Sequence, residues 1–261
     1  MHHPEVLRSI VADLRIAISL STILPLGPAK PVSDGAVARA SWALPVAGLV
    51  VGLAGAVVYS IARGVGLPPG PAAMLAVAAT VLVTGAIHED GLADSADGLG
   101  GRTRERKLEI MRDSRIGTYG ACALIVSLIL RWSALATIAE PQSVAAALLV
   151  AHAAARAGLP AFMWLIPPAR SDGLSAGAGQ PPWQSAAIAV GLGTLCLVCG
   201  LGPSKAMIGL TLLSLAGLML ARLATRQVGG QTGDILGAFE QIGEIAILLV
   251  AVALLQTELR P

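Results

Sequence analysis

Charge is scarce in this chain of 261 residues: Lys, Arg, Asp and Glu together make up 13%, against about 25% in an ordinary soluble domain. Hydrophobic residues supply 55% of the chain and mean hydropathy is +0.74, a balance that excludes a soluble globular domain. Cysteine is also scarce. Cys122, Cys196 and Cys199 form no disulfide framework. The CxxC spacing of the last pair lies in an apolar run with no other Cys near it and no His at ligand spacing, so these residues read as small apolar filler. A cleavable signal peptide is not expected, because Arg8, Asp13 and Arg15 interrupt any early apolar core. No internal repeat and no second domain can be read, and residues 1–261 form one membrane-embedded domain. The net charge of +2 says little about partners, and nucleic acid is not expected among them.

What the chain does contain is long apolar runs, at about 40–62, 70–89, 117–138, 142–166, 184–202, 204–222 and 235–257. Runs of this length cross a bilayer as helices, because hydrocarbon leaves each backbone polar group to be paired within the segment. The predicted fold class is all-α: a polytopic integral membrane helical bundle of about six or seven transmembrane helices. Before them, residues 5–24 place Val6, Ile10, Leu14 and Ile18 near helical spacing, which predicts an amphipathic helix at the interface. Pro25, Pro28 and Pro31 end it. Pro and Gly mark the later joins: Pro68-Pro69-Gly70-Pro71, Glu140-Pro141, Pro167-Pro168, Pro181-Pro182 and Gly202-Pro203. The last two are short enough to predict antiparallel hairpins.

Lys and Arg set the orientation. Arg8, Arg15, Lys30, Arg39, Arg102, Arg104, Arg106, Lys107, Arg112, Arg115, Arg170, Arg222 and Arg226 fall on one side, against Arg63, Lys205 and Arg260 on the other. The rich side is expected to face the cytoplasm. It also carries the three polar, Gly-rich loops, where soluble phosphorylated substrates would arrive.

The most informative stretch runs from Gly85 to Gly120. Asp90, Asp94 and Asp97 stand at i, i+4 and i+7, so a helix puts them on one face. Like charges so placed repel, and a divalent cation relieves the repulsion; Mg²⁺ prefers carboxylate oxygens and shares its shell with substrate phosphates. A solvated acidic cap at a helix end is the plainer reading. Arg102, Arg104, Arg106, Lys107, Arg112 and Arg115 follow. They suit phosphate, which the guanidinium fork grips with two parallel bonds, or, for Arg104 and Arg106 above all, anionic lipid headgroups. Asp113 is a further metal ligand, an arginine's partner or a helix N-cap.

Two more constellations stand out. His152 and Arg156 are at i and i+4 inside a span, where ionisable residues are costly and mark a functional interior. They either bind a substrate phosphate or tie structurally to Glu240 or Glu244. Arg131 is also intramembrane and suggests no role. The second is Gly229-Gly230-Gln231-Thr232-Gly233-Asp234, whose paired glycines let backbone N–H groups approach an anion and whose Asp234 adds a carboxylate.

Taken together these residues resemble the adenosylcobinamide-GDP ribazoletransferase, or cobalamin synthase, family over nearly the whole chain. The most specific match is Asp90-Gly91-Leu92-Ala93-Asp94-Ser95-Ala96-Asp97-Gly98, then Gly100-Gly101, then Glu109 through Thr118. Ala151-His152 with Arg156, and Gly229-Gly230 with Thr232-Gly233-Asp234, also match. The resemblance implies transfer of the corrinoid-bound phosphorus of adenosylcobinamide-GDP to a hydroxyl of α-ribazole or its 5′-phosphate. GMP leaves, and Mg²⁺ is the cofactor. On this reading Glu89, Asp90, Asp94 and Asp97 form the metal site, and Asp90, Asp94, Asp97 and Asp113 are the catalytic candidates. Arg102, Arg112, Arg115, His152, Arg156, Gly229, Gly230, Thr232 and Asp234 would bind substrate. The expected setting is the bacterial inner membrane, with the lipid bilayer as partner, the site facing the cytoplasm, and a homo-oligomer allowed.

The family usually has His-Leu-Asp-Gly where this chain has His88-Glu89-Asp90-Gly91, so an extra carboxylate either joins the metal site or faces solvent. It often has Thr-Arg near the N-terminal Pro, where Thr22 is followed here by Ile23. Two rivals stand beside this reading. A lipid-making CDP-alcohol phosphotransferase has an Ala-Arg after its first Asp-Gly and wider spacing to its later Asp pair. A secondary transporter places its ion site near the midplane in a broken helix, whereas these acids are read at a span's cytoplasmic end.

Overall fold

The computed structural model describes residues 3–26 and 35–253; Pro28, Lys30, Pro31, Arg260 and the end of the last predicted run lie outside them. The order is α1 (His3–Ser21), α2 (Ala36–Ala40), a 3₁₀ turn (Ser41–Ala43), α3 (Leu44–Gly64), α4 (Pro69–Thr84), α5 (Ile87–Leu99), α6 (Arg104–Ile110), α7 (Thr118–Ile138), α8 (Pro141–Leu165), α9 (Leu174–Ala178), α10 (Trp183–Leu201), α11 (Pro203–Gln227) and α12 (Gly233–Ala253). Among the described residues, six helical segments are long and apolar enough to cross a membrane: Ala36–Gly64, α7, α8, α10, α11 and α12. A seventh is present if α4 and α5, bent by 88°, count as one broken span. The chain is thus a polytopic helical bundle.

α1 carries the predicted two-faced character. Ile16 and Ala17 are buried against the start of the α2–α3 segment, and Trp42 Nε1 donates to Asp13 Oδ2 at 2.9 Å. Leu7, Ile10 and Val11 on its other side are exposed.

α8 is the central post, with Ala147, Leu148, Ala151, Ala153, Ala154 and Ala155 all buried. Its run of alanines lets α3, α10 and α12 pack around it. Prolines open α4, α8 and α11 in their first turns, where a missing N–H costs nothing. Glu140 caps α8 by accepting from Ser143 N at 2.7 Å.

Two expectations change. The second apolar run does not continue to residue 89. α4 stops at Thr84, and Gly85 and Ala86 both take left-handed backbone conformations (φ 63° and 58°), which turns the chain sharply. The acidic stretch is therefore a helix of its own. In addition, the join from α8 to α10 is not short: residues 166–182 form a loop carrying α9. The α10–α11 join is short, Gly202 alone.

Candidate active site

The acidic helix α5 is held from three sides. Against α12 it packs glycine to glycine: a Cβ on Gly91 would lie 2.9 Å from the Asp234 carbonyl oxygen and 3.2 Å from Gly237 Cα. Only bare backbone allows that approach, and it brings Asp234 beside the α5 carboxylates. Against α7, Asp97 accepts from Gly117 N at 2.7 Å and Gly120 N at 2.9 Å. It thus satisfies donors left open at that helix's N-terminus. Below, Glu89 is buried and accepts from Arg131 Nη1 at 2.7 Å.

The predicted shared face is real. Asp94 lies within electrostatic reach of Asp90, Asp234, Asp97 and Asp113. Asp90 is exposed and Asp94 half-buried, and among the described residues neither has a hydrogen-bond or ion-pair partner. Asp97 is placed differently, since its two oxygens take the α7 N–H groups. Glu89 neither joins this face nor meets solvent: one position along the helix turns it by about 100°, into the bundle.

The three predicted loops meet at this end of the bundle. Arg104 Nε donates to Val228 O and its Nη2 to Ala169 O, both at 2.8 Å. One side chain thus ties the α5–α6, α8–α9 and α11–α12 loops together, which replaces the lipid-anchor reading for that residue. Arg106 pairs with Glu109 on the exposed surface at 2.8 Å. Arg112 pairs with Asp172 at 2.6 Å and Arg115 with Asp113 at 2.6 Å, all exposed or half-exposed. Of Asp113's three readings, the arginine's partner is the one present, and hydrogen bonding from Arg115 holds its carboxyl down at about 2. Exposed pairs of this kind contribute little to stability, so an arriving phosphate can capture these guanidiniums cheaply. Arg102 is exposed in the α5–α6 loop.

The Gly-rich loop is a clamp. Gln231 N donates to Pro167 O at 2.9 Å and Ala169 N to Gln231 O at 2.8 Å, a single β-bridge to the α8–α9 loop. Gly230, at φ 159°, sits where a Cβ would strike the Pro167 carbonyl. A Cβ on Gly229 would lie 2.9 Å from Arg104 Nε. The paired glycines therefore serve loop-to-loop contact in this structure. Thr232 Oγ1 donates to Asp234 Oδ2 at 3.1 Å and accepts from Ile235 N at 3.3 Å at the start of α12.

His152 and Arg156 are fully buried and tied to α12, the structural alternative. Arg156 Nη1 donates to Glu240 Oε1, and His152 Nδ1 lies 3.2 Å from Glu244 Oε2. Two participants escaped the sequence reading. Arg131, for which no role was read, donates to Glu89, to Gln241 Oε1 at 3.1 Å and to Thr80 Oγ1 at 3.0 Å; its only signal was an arginine at membrane depth. Arg170 counted toward orientation alone. It stands 3.7 Å from Asp234 Oδ2 and 4.0 Å from Asp172 Oδ1, with Nη1 buried and unpartnered. Its fork is close to the acids but bonded to none.

Fold and site define a multi-pass helical membrane protein with a carboxylate-lined, arginine-rimmed site at one end of its bundle. Residues 13–252 match the family model described as cobalamin-5-phosphate synthase, and the chain belongs to that family. A relative from Bradyrhizobium diazoefficiens is 71% identical over 95% of this chain and 96% of its own length. One from Mesorhizobium japonicum is 51% identical over 94% of each, and one from Brucella anthropi is 42% identical over 92% of this chain and 96% of its own. All three are named adenosylcobinamide-GDP ribazoletransferase. No solved structure matches the chain.

Proposed function

We propose that this chain is an adenosylcobinamide-GDP ribazoletransferase of the bacterial inner membrane, dependent on Mg²⁺, with its site on the cytoplasmic face. It joins adenosylcobinamide-GDP to α-ribazole or α-ribazole 5′-phosphate and releases GMP. The observation that carries this reading is the pair of unpartnered carboxylates, Asp90 and Asp94, the second within electrostatic reach of the first and of Asp97, Asp113 and Asp234. Carboxylates alone fit a hard divalent cation: Asp90 and Asp94 would hold it, with Asp234 opposite on α12. Held there, Mg²⁺ would supply charge neutralisation of the pyrophosphate and Lewis-acid activation of its phosphorus.

The chain's own residues supply the rest. A ribazole hydroxyl oxygen forms the new bond to the corrinoid-bound phosphorus, and the bond from that phosphorus to the GMP oxygen breaks. The hydroxyl proton passes to a carboxylate of the acidic face. Arg102, Arg112, Arg115 and Arg170 grip phosphate oxygens, and in-line placement lowers the barrier by removing orientational freedom. Arg156 and His152 act at a distance, through the packing of α8 on α12.

The deciding experiment uses purified protein in detergent, where no gradient exists, with labelled adenosylcobinamide-GDP and α-ribazole. Covalent corrinoid product with one GMP per turnover is expected, lost on chelation and restored by Mg²⁺. Binding without product would leave a transporter. Product from a CDP-alcohol and a lipid acceptor instead would make the chain a lipid phosphotransferase.

A further inference from the structure

Apolar space remains in the bundle behind α12, away from the acidic face. A cavity of about 640 Å³ lies among α8, α10, α11 and α12, and apart from the Thr194 and Ser214 hydroxyls its lining side chains are apolar. The volume falls in the range of about 300–1,000 Å³ common to ligand sites. Small residues leave it open: Gly158 and Ala161 on α8, Gly193 on α10 and Gly217 on α11. The Phe239 ring forms its back wall, so close to Gly158 that a Cβ there would lie 2.7 Å from the ring. Phe162 stands beside it, with ring centroids 5.4 Å apart. Phe239 and Gly237 are two positions apart on α12, so about 200° of turn separates them. Gly237 faces α5 and Phe239 faces the cavity, which therefore lies on a different side of α12 from the carboxylates.

The cavity opens outward. Val190 on α10 and Ser214 and Leu218 on α11 line it and are exposed. The outside of a membrane-spanning bundle at this depth is lipid hydrocarbon. An empty apolar groove forfeits dispersion contacts along its walls, and the group at hand to restore them is an acyl chain. The dimensions agree. Along α11 the lining runs from Leu210 to Ala221, about 16 Å of helix, close to the roughly 15 Å of hydrocarbon in one leaflet. Spread over that length, 640 Å³ is narrower than a second helix, which is about 10 Å across.

The mouth of the groove is basic. Arg222 follows Ala221 directly, and Arg226 comes one turn later at the end of α11. Both are exposed, and neither has an ion pair or a hydrogen bond among the described residues, unlike Arg104, Arg106, Arg112 and Arg115. Trp164 near the end of α8 and Trp183 at the start of α10 are exposed, as aromatic rings are at a membrane interface. Basic residues beside a span attract anionic headgroups, and guanidinium forks fit their phosphate. We propose that the groove holds one acyl chain of an anionic phospholipid, with the headgroup phosphate on Arg222 and Arg226. The lipid is a wedge behind α12, the helix that starts at the Gly-rich clamp and carries Asp234.

The test is native mass spectrometry of the intact protein, released from detergent micelles that contain equal amounts of dioleoyl phosphatidylglycerol and dioleoyl phosphatidylcholine. Wild type should retain one phosphatidylglycerol per chain. Ala161→Leu with Ser214→Leu fills the groove at two positions that are not fully buried, and should retain none. Arg222→Gln with Arg226→Gln leaves the groove open but removes the headgroup contact. It should hold phosphatidylglycerol about tenfold more weakly, and no better than phosphatidylcholine. In thermal unfolding, phosphatidylglycerol should raise the Tm of wild type and of neither double variant, and inorganic phosphate at the same concentration should leave wild type unchanged. If the leucine variant does not fold, the arginine variant, altered only at exposed side chains, still decides. Retention of neither lipid or of both equally by wild type, unchanged retention in either variant, or an equal Tm rise with phosphate alone would each overturn the proposal. So would a lipid-free wild-type dimer that the leucine variant splits, which would give the groove to a second copy of the chain.

Discussion

Arg131 and Glu89 lie on helices far apart in the chain and meet inside the bundle, Nη1 to Oε1 at 2.7 Å. This contact links the transmembrane scaffold to the helix that carries the acidic face. Glu89 and Asp90 are adjacent, so whatever fixes the first aims the second.

Removing Arg131 should therefore loosen both scaffold and site. Arg131→Met leaves Glu89 and Glu244 facing each other without a cation, and Arg156→Met does the same to Glu240. Breaking a buried pair costs roughly 3–5 kcal/mol, softened here as the freed acids take up protons. Both variants should melt lower than wild type in detergent. Arg156→Lys, which keeps the charge but not the fork, should melt between them and wild type with KM for the phosphorylated substrates unchanged. A normal melt with a raised KM would return Arg156 to the substrate.

Asp90→Asn and Asp94→Asn should each leave folding intact. Neither side chain has a partner among the described residues, so removing charge relieves repulsion and Tm should hold or rise. Turnover should drop by at least about 10²-fold, measured at saturating Mg²⁺. Full activity in either variant would remove that residue from the metal site.

Gly120→Ala should damage the site through the scaffold. A Cβ there would run into the Asp97 carboxylate that holds the start of α7. Overpacking of this kind costs about 1–3 kcal/mol. Activity should fall, and Asp97→Ala in the same chain should recover part of the lost stability by clearing the clash. No recovery in the double variant would mean that the contact is not the cause.

Arg170→Gln separates binding from packing. Its guanidinium reaches the acids without bonding to them, so little stability depends on it. KM for the phosphorylated substrates should rise about tenfold, the loss of one charge-assisted bond, with Tm within a degree or two of wild type. A lowered Tm with unchanged KM would make Arg170 a loop strut like Arg104.

Much of this arrangement was legible from spacing. The i, i+4, i+7 carboxylates do share a face, the arginine-rich loops do share an end, and the spans fall close to the apolar runs. The break after Thr84 was hidden because residues around it stay apolar through Ile87 and the turn uses an alanine in a left-handed conformation. Glu89 was grouped with its neighbours by sequence adjacency, although helical geometry turns it away. An intramembrane arginine announces that it needs an acid, but pairing across α5, α7 and α12 is a tertiary fact that no local pattern encodes. The paired glycines illustrate the same limit: small residues fit an anion and a neighbouring loop equally well, and here the Pro167 carbonyl is the neighbour.

The bend between α4 and α5 has a consequence for the bilayer itself. With 16 residues, α4 rises only about 24 Å, short of the roughly 30 Å of hydrocarbon in an ordinary membrane. The polypeptide turns before it would clear the lipid tails, and the polar helix that follows starts beside buried Arg131 and ends where α7 begins. Thinning of the bilayer is one response to a span this short, at a cost of fractions of a kcal/mol per ångström. On the proposed reading, a bilayer thinned around this corner would form a dimple in its surface, with the acidic helix at the floor of that dimple.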